Sequence, residues 1–228
     1  MIAKFSAGCD RGVSALVAEA VSAMLAADLD LPVPEPMLVA FSSSFIDAVP
    51  DSIAKNLMRR SVSPTFGSKK LPPGFSVWPC GRPIPRSMIQ VAADVFAFDA
   101  LIDNDDRRPD NPNCLVKGDA IAIIDHDLAF ASDMMIGWRE PWHIGALDRF
   151  RQPGHHIFHN HLRGNALDYS AFAARWGRIT DDRLSEYKAA LPTEWADGAA
   201  ALASICTLIA GIRDNIAASI AEVVRVLR

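Results

Sequence analysis

The sequence predicts an α+β protein in which short strands come early and helices come late. Three observations support this. Apolar strand-like segments are confined to the first 125 residues, the segment Met88–Leu101 has a strongly apolar helical pattern, and helical spacing dominates after residue 168. The chain has 228 residues, of which 50% are hydrophobic and 22% charged. That composition excludes a disordered chain and is sufficient for one domain with a sizeable core.

The first 41 residues predict a strand, a helix and a second strand. Ile2–Phe5 has the pattern of the end of a strand that the chain start cuts short. Apolar residues then recur at helical spacing over Ser14–Leu29, with Ser14 in the position of an N-cap. Three prolines in residues 30–36 impose an extended path, and Met37–Phe41 is typical of a buried strand.

Residues 42–85 are predicted to be rich in loops, with one short helix around Ile53–Arg60. A smaller N-terminal part is expected to pass into a larger one near residue 85. The larger part begins with the apolar helix Met88–Leu101 and contains a short buried strand, Ala120–Ile124. Helices are predicted near 168–176, 181–190 and 194–228, so this part is mostly helical.

Charge and composition argue against several classes of function. The net charge of −4 lacks the basic surface typical of nucleic-acid binding, so no direct nucleic-acid partner is expected. The most apolar stretch, Ala199–Ile212, is shorter than the ~20 residues of a membrane span and is predicted to be a buried helix. The N-terminus has no signal-peptide pattern, and the four cysteines form no CxxC pair. A cytoplasmic protein with free thiols is therefore expected.

The most informative segment is residues 101–116, which lies between the apolar helix and the strand. It holds four acidic residues in eight positions: Asp103, Asp105, Asp106 and Asp110. A solvated acidic loop is the simplest interpretation, because unpaired buried carboxylates are costly. A fifth carboxylate, Asp125, directly follows the strand Ala120–Ile124 and favours a functional interpretation.

Phosphoryl transfer requires carboxylate and amide groups at this kind of spacing. One aspartate orients or deprotonates the attacking hydroxyl, while an amide oxygen and a second carboxylate hold magnesium. Asp106 is followed by Asn111 five positions later, and Asp125 follows after a predicted hairpin. A lysine on a strand and a glutamate on the next helix complete such a site, and Lys4 and Glu19 occur in that order.

Other interpretations of the polar clusters remain open. Five of the six histidines lie between His143 and His161 and predict either a polar, partly exposed segment or a zinc site. The acidic cluster of residues 103–110 is also compatible with a two-metal nuclease, although that leaves Asn111 without a role. The apolar C-terminal helix either completes a helical lobe or packs on a partner. Ser42, Ser43 and Ser44 either form a loop cap or turn or accept phosphate.

Several motifs together resemble those of the HipA-like kinases, distant relatives of protein kinases and phosphatidylinositol kinases. The resemblance covers most of the chain, and its most specific parts are the loop around Asp106 and the segment around Asp125. The matching segments are Ala15–Glu19, Leu29–Pro36, Phe66–Ser68, Phe98–Ile102, Asp106–Asn113, Ile124–Phe130 and Leu191–Trp195.

The resemblance implies a single HipA-like kinase domain over residues 1–228 with a bilobal protein-kinase-like fold. Residues 1–85 would form a reduced, truncated N-terminal lobe and residues 86–228 a helical C-terminal lobe. Mg-ATP and a protein substrate with a Ser or Thr acceptor are the implied cofactor and partner.

The resemblance also implies a role for each candidate site residue. Asp106 would be the catalytic base, and Asn111 and Asp125 would bind magnesium and thereby ATP. Lys4 would contact the ATP phosphates, and Glu19 would be its ion-pair partner. Asn113 would support the loop, and Arg107 or Arg108 would neutralise the transferred phosphoryl group.

The sequence departs from the related kinases in three places. The strand pair and glycine-rich loop that precede the lysine in those kinases do not precede Lys4, Asp30 replaces a family glycine, and His126-Asp127 follows Asp125 where protein kinases have Phe-Gly. A catalytically impaired, nucleotide-binding scaffold is therefore the alternative function.

Overall fold

The computed structural model describes residues 1–131 and 137–228, and this part of the protein is α+β as predicted. Its six strands are β1 Ile2–Lys4, β2 Pro36–Val39, β3 Thr65–Ser68, β4 Ser76–Val77, β5 Cys114–Lys117 and β6 Ala120–Ile123. Its α-helices are α1 Val13–Asp28, α2 Ser43–Ala48, α3 Ser52–Arg60, α4 Ile89–Leu101, α5 His159–Leu162, α6 Ser170–Trp176, α7 Asp181–Ala190, α8 Ala199–Asp214 and α9 Ile216–Val226.

The first sheet is antiparallel and has the strand order β1-β3-β2. Its register places Lys4 opposite Phe66 and Ile2 opposite Ser68, so these four side chains point to one face of the sheet. The predicted strand at Met37–Phe41 is present as β2, but it is not buried, since Leu38 is 48% exposed. It is an edge strand, and this position explains its exposure.

Helix α1 packs against this sheet and also against α8 near the C-terminus. The prediction that Ser14 caps the helix is wrong, because α1 begins at Val13 and its N-cap is Gly12. Gly12 has a φ of 56°, a conformation that glycine adopts without steric cost. At the other contact, Gly198 lies so close to α1 that an added Cβ would be 2.6 Å from Cγ2 of Val17.

The second sheet is also antiparallel, with the order β4-β5-β6. Strands β5 and β6 form the predicted hairpin around Gly118, whose φ is 60°. The backbone N–H of Ile123 donates to the carbonyl oxygen of Pro32 at 2.8 Å, so β6 is attached to the extended segment after α1. This hydrogen bond ties the segment that follows Glu19's helix to the strand that precedes Asp125.

The loop-rich region 42–85 contains more regular structure than predicted. The predicted helix is present as α3, but α2 and β3 were missed. The Ser42 side chain accepts a hydrogen bond from the N–H of Phe45 and caps α2, which is the capping role considered for the serines. Strand β4 lies before residue 85 and pairs with β5, which lies after it. The division into two parts near residue 85 stays a prediction.

Helix α4 confirms the predicted apolar helix and is buried almost throughout. Helices α6 and α7 confirm the predictions near 168–176 and 181–190. The prediction of one helix over 194–228 is wrong: a 3-10 helix, Thr193–Gly198, precedes α8, and non-helical torsions at Asn215 separate α8 from α9.

Segment Thr193–Asp214 is the one candidate membrane span in the part of the chain that the structure describes. Its mean hydropathy reaches 1.5 in the most apolar window, and 39% of that window is buried. Core helices meet the same criterion, so the evidence for a span is weak. The buried residues of α8, such as Ile205 and Ile209, belong to the main hydrophobic core together with residues of α1.

Candidate active site

Four charged side chains from three parts of the chain meet beside the first sheet. The Lys4 ammonium at the end of β1 lies 2.9 Å from Oε2 of Glu19 on α1 and 3.1 Å from Oδ2 of Asp127. It also donates a hydrogen bond to Oδ1 of Asp125. The structure thus brings together Lys4, Glu19 and Asp125, three of the five residues predicted from the sequence.

The surroundings of this cluster favour the charged forms of Lys4 and Glu19. Burial by itself lowers the pKa of the Lys4 ammonium, but the negative charges of Glu19 and Asp125 outweigh it and raise that pKa above its usual range. Burial likewise raises the pKa of the Glu19 carboxyl, but contacts with His126 and Lys4 lower it to about 2. Both side chains are therefore ionised at neutral pH.

Asp125 takes its position from the end of β6 and from the neighbouring loop. The N–H of Ile124 donates to the carbonyl oxygen of Asn113 at 3.0 Å, which joins the strand end to the segment that follows Asp106. Asp125 itself has a φ of 62°, an uncommon conformation for a residue with a side chain. Such outliers are concentrated at functional sites.

The loop after α4 holds Asp106 between two amide side chains. Nδ2 of Asn111 and Nδ2 of Asn113 donate to Oδ2 of Asp106 at 2.7 and 3.0 Å. The guanidinium of Arg108 lies 3.3 Å from the other carboxylate oxygen. The predicted spacing of Asp106 and Asn111 therefore corresponds to a direct side-chain contact, and Asn113 bonds the same carboxylate oxygen.

The pKa of Asp106 is raised, chiefly because the carboxyl is partly buried. Arg108 and Asn113 oppose this shift, whereas the negative charges of Asp125 and Asp105 add to it. The charge of Asp125 is thus close enough to Asp106 to affect the protonation of its carboxyl. A carboxylate with a raised pKa accepts a proton more readily, which suits a general base.

Arg107 does not reach the surface and cannot contact a phosphoryl group from its buried position. Its guanidinium is 0% exposed and forms an ion pair with Asp99 on α4, with 2.6 Å between Nε and Oδ2. Arg108, in contrast, has a side chain that is 44% exposed. Of the two arginines considered for phosphoryl contact, Arg108 is the accessible one.

A cleft of about 770 Å³ opens between the two sheets next to Lys4. Its walls come from the first sheet, α1, the connection between the sheets and the β5–β6 hairpin. Most of its lining is apolar, and Lys4, Glu19 and Asp125 lie in its wall. The lining residues are Ile2, Lys4, Glu19, Ala23, Val33, Pro34, Phe66, Ser68, Lys69, Lys70, Leu71, Pro72, Pro73, Gly74, Phe75, Leu115, Ile123, Ile124 and Asp125.

One group of acidic side chains in residues 1–131 and 137–228 has the geometry to share a metal ion: Glu19, Asp125 and Asp127. Their ligand atoms lie within 4.8 Å of one another. Asp127 was not a candidate from the sequence, although its position two residues after Asp125 on an irregular segment was a usable signal. Burial and the charge of Asp125 raise the pKa of Asp127, although Lys4 opposes this shift.

The histidines do not form a metal-binding group within the described ranges. His143 is exposed as predicted, but His156 and His159 are buried, so a partly exposed segment is wrong for these two. His156 contacts Oδ2 of Asp99 at 3.0 Å, and His159 lies 3.3 Å from the carbonyl oxygen of Val226. Their role in the fold is to satisfy buried polar groups.

Comparison with known proteins identifies the family. A family model described as HipA-like kinase matches residues 5–220, which is most of the chain and includes every candidate site residue except Lys4. No curated protein and no solved structure matches the chain significantly. The match spans the loop around Asp106 and the strand end at Asp125, and the chain belongs to the HipA-like kinase family.

Proposed function

We propose that the protein transfers the γ-phosphoryl group of Mg-ATP to a hydroxyl, with a Ser or Thr side chain of another protein as the acceptor. One observation carries the proposal. Lys4, which Glu19 and Asp125 hold in the wall of an apolar cleft, bonds the same Asp125 whose charge raises the pKa of Asp106 in the Asp106–Asn111 loop. A kinase requires these groups together.

We further propose that the molecule is a reduced bilobal kinase fold, with lobes over residues 1–85 and 86–228. The position of the cleft between the two sheets supports this division. The strand that carries Lys4 and the helix that carries Glu19 precede residue 85, and the Asp106 loop and the β5–β6 hairpin before Asp125 follow it.

The cleft suits a nucleotide because one part is apolar and another part is charged. Ile2, Leu115 and Ile123 provide apolar walls for a base, and Lys4 lies where the phosphates would follow. The raised pKa of Lys4 keeps the ammonium positive over the whole range in which the protein works. Glu19 holds this cation in place and is itself ionised.

Asp125 and Asn111 are the residues that we expect to hold magnesium, with Asp127 as a further ligand. Oxygen ligands from carboxylates and an amide are those that magnesium prefers. The pKa of both Asp106 and Asp127 is raised in part by the charge of Asp125, and a divalent cation beside Asp125 would relieve that repulsion. The cation supplies charge neutralisation of the nucleotide phosphates.

Asp106 would orient the acceptor hydroxyl and take its proton. The Asp106 side chain is 14% exposed, and the neighbouring side chains of Arg108 and Asp110 are 44% and 79% exposed. An acceptor carried on the surface of another protein can therefore reach the carboxylate. The exposed Arg108, at 3.3 Å from Asp106, is positioned to contact the transferred group.

Two measurements test this proposal. A thermal-shift titration should show stabilisation by ATP that requires magnesium, and γ-labelled ATP should transfer its label to protein. The variant Asp125→Asn should lose both effects. Stabilisation without label transfer in the wild-type protein would favour the nucleotide-binding scaffold, and nuclease activity without ATP would favour the two-metal nuclease. Either result would contradict the proposed phosphotransfer.

A further inference from the structure

The buried guanidinium of Arg107 contacts several parts of the site, although it is not accessible to a substrate. Its Nε and Nη2 donate to the two carboxylate oxygens of Asp99 at 2.6 and 3.1 Å. Nη1 donates to the carbonyl oxygens of Asn113 and, at 3.2 Å, Ile124. Nη2 also lies 3.0 Å from Nε2 of His126. One buried cation therefore contacts helix α4, the end of the Asp106 loop and both residues that flank Asp125.

The carboxylate that binds Arg107 is itself held on both oxygens. Nδ2 of Asn104 donates to Oδ1 of Asp99 at 2.7 Å, and Nε2 of His156 lies 3.0 Å from Oδ2. Burial raises the pKa of Asp99, but Arg107 and His156 outweigh it and hold that pKa well below its usual range. A fully bonded ion pair of this kind fixes the guanidinium in one orientation.

His126 connects these contacts to the ion pair of Lys4 and Glu19. A guanidinium only donates hydrogen bonds, so Nε2 of His126 is the acceptor and the ring proton is on Nδ1. Nδ1 faces Oε1 of Glu19 at 3.8 Å, and the backbone N–H of His126 donates to Oε2 of Glu19 at 2.7 Å. The same Glu19 oxygen accepts from Lys4.

We propose that Arg107 and His126 are positioning residues that align the Asp106 loop with the Lys4–Glu19 pair. Arg107 fixes the loop and the strand end to α4, and His126 connects Arg107 to the glutamate that orients Lys4. This inference rests on the proposed phosphotransfer, because alignment of the two halves matters only if they act on one nucleotide and one acceptor.

Three variants test the alignment. Arg107→Lys keeps the charge but loses the fork that bridges Asp99 and the carbonyls, and we expect kcat to fall by roughly 10- to 100-fold with little change in KM for ATP. His126→Phe removes the acceptor for Arg107 and the imidazole that faces Glu19, while the backbone N–H bond to Glu19 remains, so kcat should fall and KM for ATP should rise. His126→Gln restores an acceptor and should recover most of the activity.

The matched control is Glu222→Gln. Glu222 is a buried carboxylate on α9 that bonds the N–H of Gly145 and the guanidinium of Arg225. We expect this variant to lower Tm without changing kcat or KM. If all variants lowered Tm but Arg107→Lys and His126→Phe kept wild-type kcat and KM, the positioning role would be overturned.

Hydrogen–deuterium exchange tests the alignment without depending on activity. Arg107→Lys should increase exchange both in residues 108–114 and in residues 124–130, because Arg107 bonds both segments. His126→Phe should also increase exchange near Glu19. An increase limited to the immediate neighbours of each substituted residue would overturn the inference. Absence of label transfer by the wild-type protein would instead contradict the proposed function, and the exchange result would still decide the coupling.

Discussion

The buried and the accessible carboxylates of the site differ in how well their charges are compensated. Asp99 lies in the interior, and Arg107, His156 and Asn104 bond both of its oxygens, so its pKa is lowered. Asp106 and Asp127 are closer to the surface, and their pKa values are raised because burial and neighbouring acids outweigh the contacts with Arg108 and Lys4.

This difference distinguishes a carboxylate that stabilises the fold from carboxylates that are available for the proposed reaction. Asp99, with a dedicated cation and a lowered pKa, contributes to stability, whereas Asp106 and Asp127, with raised pKa values, retain the capacity to bind a proton or a metal ion. The two kinds are linked here through one arginine, whose guanidinium binds Asp99 and whose backbone follows directly after Asp106. The predictions below test this separation, beginning with the largest expected effect.

Substitution of Asp125 by Asn should abolish phosphoryl transfer while the protein stays folded. Loss of a metal-binding carboxylate is expected to reduce kcat by ~1,000-fold or more, corresponding to ~4 kcal/mol of transition-state stabilisation. Asparagine is preferred to alanine here because it tolerates the positive φ of residue 125. Label transfer and Tm are the measurements, and a variant that keeps wild-type turnover would contradict the proposed role of Asp125 in binding magnesium.

Substitution of Asp99 by Asn should mainly affect stability. It leaves the buried Arg107 cation without its counter-charge, which is expected to lower the free energy of unfolding by about 3–5 kcal/mol in urea titrations. Asp94→Asn is the matched control on α4. Asp94 is also buried and pairs with Arg175 at 2.8 Å, but burial raises the pKa of its carboxyl. Substitution by asparagine should therefore lower the free energy of unfolding less at position 94 than at position 99. Equal losses for both variants would contradict the distinction.

The stability contributed by Asp99 should depend on pH in a defined direction. Because its pKa in the folded state is below the value of ~3.9 in the unfolded chain, this stability is fully present above that value. It is lost as the pH falls through the folded-state pKa. The difference in unfolding free energy between the wild type and Asp99→Asn should therefore be constant near neutrality and should narrow only in strong acid.

Removal of the Arg108 charge should shift the pH dependence of kcat/KM and should leave the free energy of unfolding nearly unchanged. Arg108 lowers the pKa of Asp106, so Arg108→Gln should raise it further. A base works only when deprotonated, and the acidic limb of the kcat/KM profile should consequently move to higher pH. Arg86→Gln, at another exposed arginine, is the control. An unchanged acidic limb in Arg108→Gln would argue against Asp106 as the base.

The smallest effect is expected at the exposed pair Asp47–Arg59. The separation between Oδ1 and Nη2 is 2.7 Å, but both side chains are more than half exposed. Ion pairs of this kind contribute little, so Asp47→Asn should change the free energy of unfolding by less than about 1 kcal/mol and leave turnover unchanged. A loss comparable with that of Asp99→Asn would show that distance rather than burial controls these pairs.

The parts of the site that the sequence predicted are those encoded by local spacing. Asp106 and Asn111 are five residues apart, and Asp125 follows a hairpin whose turn contains Gly118, so one short segment contains most of the information. Lys4 and Glu19 were found through their order along the chain, and the structure brings them into contact. The chemical roles of these five residues stay predictions.

The partners that hold this segment in place were not predictable from local patterns. His156 lies 57 positions from Asp99, and nothing in the histidine-rich segment distinguished a buried partner from an exposed side chain. Strand β3 was missed because it is only four residues long and includes a glycine. Exposure of β2 depends on which strands flank it, and the strand order of a sheet is a property of the whole fold.

The close approach of Gly198 to α1 has a consequence for how the site is maintained. The helix that carries Glu19 is in contact with a residue that follows it by almost 180 positions, at a point where even a methyl group would overlap Val17. The position of the helix that carries Glu19 is therefore restricted by the 3-10 helix that precedes α8. Any larger residue at position 198 would force Val17, α1 or the 3-10 helix to shift, and would thereby disturb the helix that carries one member of the ion pair.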